Sequence, residues 1–101
     1  MKVLVSDNLA KSGIEKLKNV PELEVVVNTS LTPDELRQVI KDFDGLVIRS
    51  ATKVTADVID AAENLKVVAR AGIGLDNVDI AHASKRGIVV MNTPEGNVIT
   101  T

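Results

Sequence analysis

The sequence contains no cysteine, tryptophan or tyrosine, one histidine (His82) and one aromatic ring, that of Phe43. Without cysteine there is no disulfide framework, no thiolate metal site and no cysteine nucleophile. A lone histidine excludes a multi-histidine metal site within one chain. A single aromatic residue leaves no platform on which nucleobases could stack. A large excess of charge of one sign is also missing: twelve Lys and Arg stand against fourteen Asp and Glu, interspersed, for a net charge of -2. The broad basic surface that nucleic-acid binding draws on is therefore absent. No apolar run approaches the roughly 20 residues that span a bilayer, which excludes a membrane-spanning helix. The opening Met1-Lys2-Val3-Leu4-Val5-Ser6 is too short for a signal peptide's apolar region and reads as a first strand, so a cytoplasmic protein is expected. What is present is 101 residues, 45 % hydrophobic and 26 % charged. That composition is globular, and a chain of this length buries roughly 60 to 70 % of its unfolded surface around one core.

Apolar runs recur about every 20 residues: Val3-Leu4-Val5, Val25-Val26-Val27, Leu46-Val47-Ile48, Val67-Val68-Ala69 and Ile88-Val89-Val90-Met91. Short, rich in β-branched residues and without polar alternation, they predict strands of a parallel sheet covered on both faces. The intervening stretches read as helices. The first, about Ala10 to Asn19, sets Ile14 and Leu17 on one side and Lys11, Glu15, Lys16 and Lys18 on the other. The second has Thr32 as N-cap, Pro33 at the first helical position and Glu35 placed to close a capping box, followed by Leu36, Val39 and Ile40. The third opens at Thr55, carries Asp57 and Asp60 near its start and buries Val58, Ile59, Ala62 and Leu65. The fourth runs from about Asp79 to Arg86 and stops at Gly87. Strand and helix in alternation predict an α/β domain over residues 1–101. Its expected form is a flavodoxin-like, doubly wound, five-stranded parallel sheet of order 2-1-3-4-5 with helices on both faces.

Ligands of such sheets bind beyond the carboxyl ends of the strands. Those ends carry Ser6-Asp7-Asn8, Asn28-Thr29-Ser30, Arg49-Ser50-Ala51-Thr52-Lys53, Arg70-Ala71-Gly72-Ile73-Gly74 and Asn92-Thr93-Pro94-Glu95-Gly96-Asn97. Arg49, with Ser50, Thr52 and Lys53 beside it, offers a planar fork of donors suited to phosphate or carboxylate. The competing reading pairs Arg49 with an acid of its own fold, such as Asp7, or leaves it in solvent. Gly72-Ile73-Gly74 is not the dinucleotide fingerprint, which follows the first strand and needs a third glycine where Asn77 stands. Two glycines around one residue still suit a nest of exposed N–H groups for a carboxylate, or an ordinary tight turn. Asp7, Asp76 and Asp79 are too scattered for a metal or acid–base group, Asp79 being placed to start a helix. His82 lies inside the fourth helix, in a structural or solvent-facing position. No general base or nucleophile is evident, so the residues suit binding and not reaction.

Three segments together carry a resemblance: Val47-Ile48-Arg49-Ser50-Ala51-Thr52-Lys53-Val54-Thr55, Arg70-Ala71-Gly72-Ile73-Gly74-Leu75-Asp76-Asn77-Val78-Asp79 and Gly87-Ile88-Val89-Val90-Met91-Asn92-Thr93-Pro94. From Lys2 to Thr101 the chain resembles the D-isomer-specific 2-hydroxyacid dehydrogenases, in the branch that acts on 3-phosphoglycerate. The resemblance implies an NAD-dependent oxidoreductase that converts 3-phospho-D-glycerate to 3-phosphohydroxypyruvate at the entry to serine biosynthesis. It also implies two doubly wound domains, of which this chain is the substrate-binding one. By the same resemblance Arg49 and Ser50 are contacts to the substrate's phosphate or carboxylate, Arg70 a second cationic wall and Asn97 a further polar contact. Gly72, Ile73 and Gly74 form a turn whose N–H groups approach the substrate carboxylate, with Ile73 also beside the nicotinamide. Members commonly carry a smaller or hydroxylated residue in place of Ile73, so only its backbone role transfers.

The family's catalytic Arg, Glu and His, its Gly-rich NAD loop and its ribose-binding acid belong to the nucleotide-binding domain, and His82 does not match the catalytic histidine. The expectation is a truncated substrate domain that binds 3-phosphoglycerate weakly and transfers no hydride without its missing partner domain. A returning C-terminal helix would cover one apolar edge in the parent, so the isolated chain is expected to self-associate. The alternative is a free-standing flavodoxin-like module, either small-anion-binding or of the receiver type. A receiver needs an acceptor Asp at the end of the third strand, where Arg49 stands, and a Lys after the fifth, where Asn92-Thr93 stand. A flavin-binding variant lacks aromatic residues to stack on the ring.

Overall fold

Five valine-rich runs become five parallel strands in the computed structural model, which describes residues 1–8, 11–49, 51–71 and 77–93. They are β1 (Lys2–Val5), β2 (Glu24–Val27), β3 (Gly45–Ile48), β4 (Val67–Ala71) and β5 (Val89–Thr93), and their order is β2-β1-β3-β4-β5. Four helices connect them: α1 (Lys11–Lys18), α2 (Pro33–Val39), α3 (Ala56–Ala61) and α4 (Ile80–Lys85), with a 3-10 turn at Ile40–Asp42 after α2. The doubly wound architecture and the strand order expected from the sequence are both present.

Register decides which side chains share a face. Val3 lies opposite Val25 and Gly45, Gly45 opposite Val67, and Val67 opposite Val89. Because side chains alternate along a strand, Val3, Val5, Val47 and Ala69 therefore share one face, where they pack with Leu17 of α1. Leu4, Leu46, Ile48 and Val68 point to the other, into the larger core with Leu36, Val58, Ile59 and Ala83 from α2, α3 and α4.

The helix signals act as expected. The Thr32 hydroxyl accepts the Glu35 N–H while the Glu35 carboxylate accepts the Thr32 N–H at 2.9 Å, completing the capping box. The Thr32 main chain, and then its hydroxyl, hold the Glu35 carboxyl below its usual 4.5. Asp79 caps α4 by accepting the His82 N–H at 3.0 Å. Gly87, at φ +74°, supplies the left-handed residue that ends α4.

One expectation needs correcting at the sheet's edges. Strands covered on both faces describe β1, β3 and β4, but Val89 is 56 % and Met91 41 % exposed on β5, and Val27 is 41 % exposed on β2. The eight-residue α1 is too small to roof five strands, and it packs with Leu23 and Val25 toward β2. Beside it an apolar groove of about 160 Å³ opens, lined by Val3, Leu17, Gly45, Val47, Val67 and Met91 among others.

The capping box gives a direct test of these assignments. Thr32→Ala is expected to destabilise the domain by about 1 kcal/mol, lowering the urea midpoint with an unchanged m-value.

Candidate functional site

The chain leaves β3 after the buried Ile48 and turns at once, so the polar main-chain groups of the turn need partners. Asp7, at the end of neighbouring β1 and only 5 % exposed, supplies the acceptors. Its Oδ2 accepts the N–H of Arg49 at 2.7 Å and of Thr52 at 2.9 Å, and its Oδ1 accepts the Thr52 hydroxyl at 2.6 Å. The Thr52 hydroxyl also lies 2.9 Å from that of Ser6. Asn77, 8 % exposed, supplies the donors: its Nδ2 donates to the Arg49 carbonyl at 2.7 Å and to the Thr52 carbonyl at 2.6 Å. One carboxylate and one amide thus hold both polar main-chain groups of both residues. A parallel bridge between Val54 and Val78 ties the same segments together, with Val54 N–H donating to the Asn77 carbonyl at 2.9 Å.

The Arg49 side chain stands exposed on this fixed base. Its Nη1 donates to the Asn8 carbonyl over a long 3.4 Å. Of the competing readings, neutralisation of the guanidinium by Asp7 is not what the fold does, while a side chain in solvent agrees with its exposure. Asp7 meets Arg49 through the main chain only, and among the described residues no carboxylate pairs with the fork. Arg70 lies one position earlier in register, opposite Ile48 and Asn92, and is half-buried. Ser50, Gly72, Ile73, Gly74 and Asn97 lie outside the described residues. Sequence reasoning did not anticipate the Asn77 amide, and it read Thr52 as a neighbouring donor for an anion, whereas the Thr52 hydroxyl donates to Asp7. The available signal was an amide-bearing residue where a glycine motif would have ended.

A second opening lies nearby, at the carboxyl ends of β1 and β3. It encloses about 380 Å³ between the starts of α2 and α3, with Ser6, Asp7, Ser30, Leu36, Thr52 and Lys53 in its wall. Ser30, at φ +73°, is the one described non-glycine residue in the left-handed region.

Of the other acids singled out from the sequence, Asp79 caps α4 and Asp76 lies outside the described residues; no cluster of metal-ligating side chains occurs among the described residues. His82 bridges α4 to α3, its Nε2 lying 2.7 Å from Asp60 Oδ1, which also accepts from Arg86 Nη1 at 2.9 Å. That hydrogen bond from His82 is the largest cause holding the Asp60 carboxyl below its usual 3.8. Nor do the described residues directly after β1, Ser6 to Asn8, fit a dinucleotide. A pyrophosphate loop leaves bare N–H groups there, whereas Asp7 places a carboxylate there that already engages the nearby N–H groups of Arg49 and Thr52. Among the described residues no helix is long and apolar enough to cross a membrane.

Residues 3–101 match the model of the D-isomer specific 2-hydroxyacid dehydrogenase catalytic domain. The chain belongs to this family. It is 50 % identical over 100 residues to a D-3-phosphoglycerate dehydrogenase of Methanocaldococcus jannaschii, covering 99 % of this chain and 19 % of that protein. It is 54 % identical over 93 residues to a hydroxypyruvate reductase of Thermotoga maritima, covering 92 % and 30 %. The fold matches NAD+-bound 3-phosphoglycerate dehydrogenase of Entamoeba histolytica with a TM-score of 0.84 and 35 % identity, over 93 % of this chain and 33 % of that one. The chain therefore spans about a fifth to a third of the length of these relatives.

The α3–α4 bridge predicts an acid-sensitive contact. Asp60 should titrate below 3.8 by carboxyl NMR, and His82→Asn should raise that midpoint. A depressed folded-state value places the stabilisation above the unfolded pKa. It is lost as pH falls through the folded one, so His82→Asn should leave a shallower acid limb below about pH 4.

Proposed function

We propose that the chain is the substrate-binding domain of an NAD-dependent oxidoreductase that oxidises 3-phospho-D-glycerate to 3-phosphohydroxypyruvate in serine biosynthesis. The observation that carries this reading is the exposed Arg49 guanidinium on a main chain fixed from both sides, at the carboxyl end of a central strand. Such a fork binds phosphate or carboxylate bidentately. Arg70, in the adjacent strand, adds positive charge to the same end of the sheet. Ser50, the Gly72-Ile73-Gly74 turn and Asn97 are proposed as the remaining substrate contacts, with Ile73 also facing the nicotinamide. The names of the relatives from M. jannaschii and E. histolytica support the substrate.

NAD and the catalytic acid–base groups belong, in this proposal, to a nucleotide-binding domain of the same parent. His82 is engaged by Asp60 on the α3–α4 surface, and the residues after β1 do not suit the cofactor. The chain alone should bind substrate weakly, at about millimolar affinity or worse, because it offers one wall of a cleft. It should form no NADH. The apolar groove beside α1, with Val89 and Met91 exposed, favours self-association of the isolated chain. A strict monomer in sedimentation at high concentration would contradict that.

A second reading has one observation in its favour: the T. maritima relative is named a hydroxypyruvate reductase. The two separate on the phosphate. In the complete protein, 3-phosphoglycerate-dependent NADH formation should exceed that with unphosphorylated glycerate, and Arg49→Ala should weaken binding about 10- to 150-fold, as expected for a lost charge-assisted hydrogen bond. Equal use of both acids overturns the phosphate assignment. In the isolated chain, 3-phosphoglycerate should shift NMR signals around Arg49. The receiver-type alternative has no support at the end of β3, where Arg49 occupies the position of the acceptor Asp.

A further inference from the structure

Asn77 and Asp7 do more than fill the interior. They grip the same two residues with opposite polarity. Asp7 takes the N–H groups of Arg49 and Thr52, and Asn77 gives its amino group to both their carbonyls. With N–H and C=O both engaged, the peptide planes on either side of the Arg49 Cα are set, and with them the direction in which its side chain leaves the sheet. The side chain beyond stays exposed and makes one long contact, at 3.4 Å. A fixed root with an adaptable tip suits a residue that must meet an incoming anion at a set place.

The Asn77 amide is also chemically particular. Two carbonyls demand its amino group, while its Oδ1 is buried with no donor among the described residues. An aspartate of the same shape would turn an acceptor toward two acceptors. Besides the side-chain bonds, the Asn77 carbonyl accepts the Val54 N–H, so the residue joins the segment after β3 to the one that begins α4.

We propose that Asn77, opposed by Asp7, is a positioning residue for anionic substrate: it aims Arg49 by holding the main chain of Arg49 and Thr52. The proposal rests on the reading of Arg49 as a substrate contact. It differs from a purely structural role in what it predicts for kinetics. In the complete protein, Asn77→Asp should raise KM for 3-phosphoglycerate about tenfold or more, since a small misplacement of a positioned group has effects of this size. KM for NAD and kcat should stay within about twofold, because uniform substrate binding is what is lost. Asp7→Ala should give the same pattern, and Asp7→Asn, which keeps an acceptor for both N–H groups, should recover most of the loss.

The second measurement needs no turnover: affinity for inorganic phosphate, followed at the Arg49 side chain by NMR, with amide exchange at Arg49 and Thr52. Asn77→Asp should weaken phosphate binding and Asp7→Ala should unprotect both amides together. If Asn77→Asp does not fold, the Asp7→Ala and Asp7→Asn pair carries the same comparison. Variants that lower thermal stability but leave the substrate KM and phosphate affinity unchanged overturn the proposal. So does an equal rise in KM for substrate and for NAD. A wild-type protein that turns over no 3-phosphoglycerate overturns the functional reading alone, and the positioning role is then decided by the phosphate affinities.

Discussion

A strand of a parallel sheet must release its chain at its carboxyl end without leaving polar main-chain groups unpaired in the interior. In this domain the requirement is met beyond β3 by two side chains from neighbouring segments. Asp7 receives and Asn77 donates, so that Arg49 and Thr52 are held as firmly as if the strand had continued. An unpaired buried group of this kind costs about 1 to 3 kcal/mol, and four main-chain groups are satisfied here at the expense of one lone Oδ1 on Asn77. An apolar residue at either position would fill the volume and strand the turn.

The sheet order makes the arrangement possible. β1 lies between β2 and β3, so the residue after β1 emerges directly beside the turn after β3. The segment after β4 reaches the same turn from the other side through the Val54–Val78 bridge. Three consecutive positions across the sheet therefore converge on one arginine. The core below, built on Leu4, Leu46, Ile48 and Val68, holds the strand ends in place. Precision at the rim is inherited from packing in the middle.

Much of the fold was legible because its signals are local. The Thr32, Pro33 and Glu35 pattern specifies a helix start with no tertiary help, and Gly87 specifies a stop. Valine-rich runs at regular spacing specify parallel strands. The edges were less legible, since whether Val89 or Met91 is covered depends on which elements pack there and not on the run itself. At the site, Arg49 was legible from residue type and position. Asp7 was weighed as an acid–base or metal candidate or a partner of the guanidinium, but its acceptor role toward the main chain of a segment 42 residues away follows from strand order, which no local pattern carries. Asn77 was noted as a missing glycine, and its value as a donor appears only once two carbonyls face it.

The proposed assignment divides binding from reaction between two domains. An exposed guanidinium on a rigid base can recognise an anion by itself, but hydride transfer from an alcohol needs an acceptor close to the carbon that gives up the hydride and a base within hydrogen-bond reach of the hydroxyl on that carbon. The one histidine is committed to Asp60 across the α3–α4 contact, and at the end of β1 the Asp7 carboxylate is taken up with Arg49 and Thr52. Using the end of β1 to brace Arg49 removes it as a phosphate loop. In the proposed assignment, a domain that commits its first turn in this way aims one arginine at an anion and leaves the dinucleotide to a partner domain.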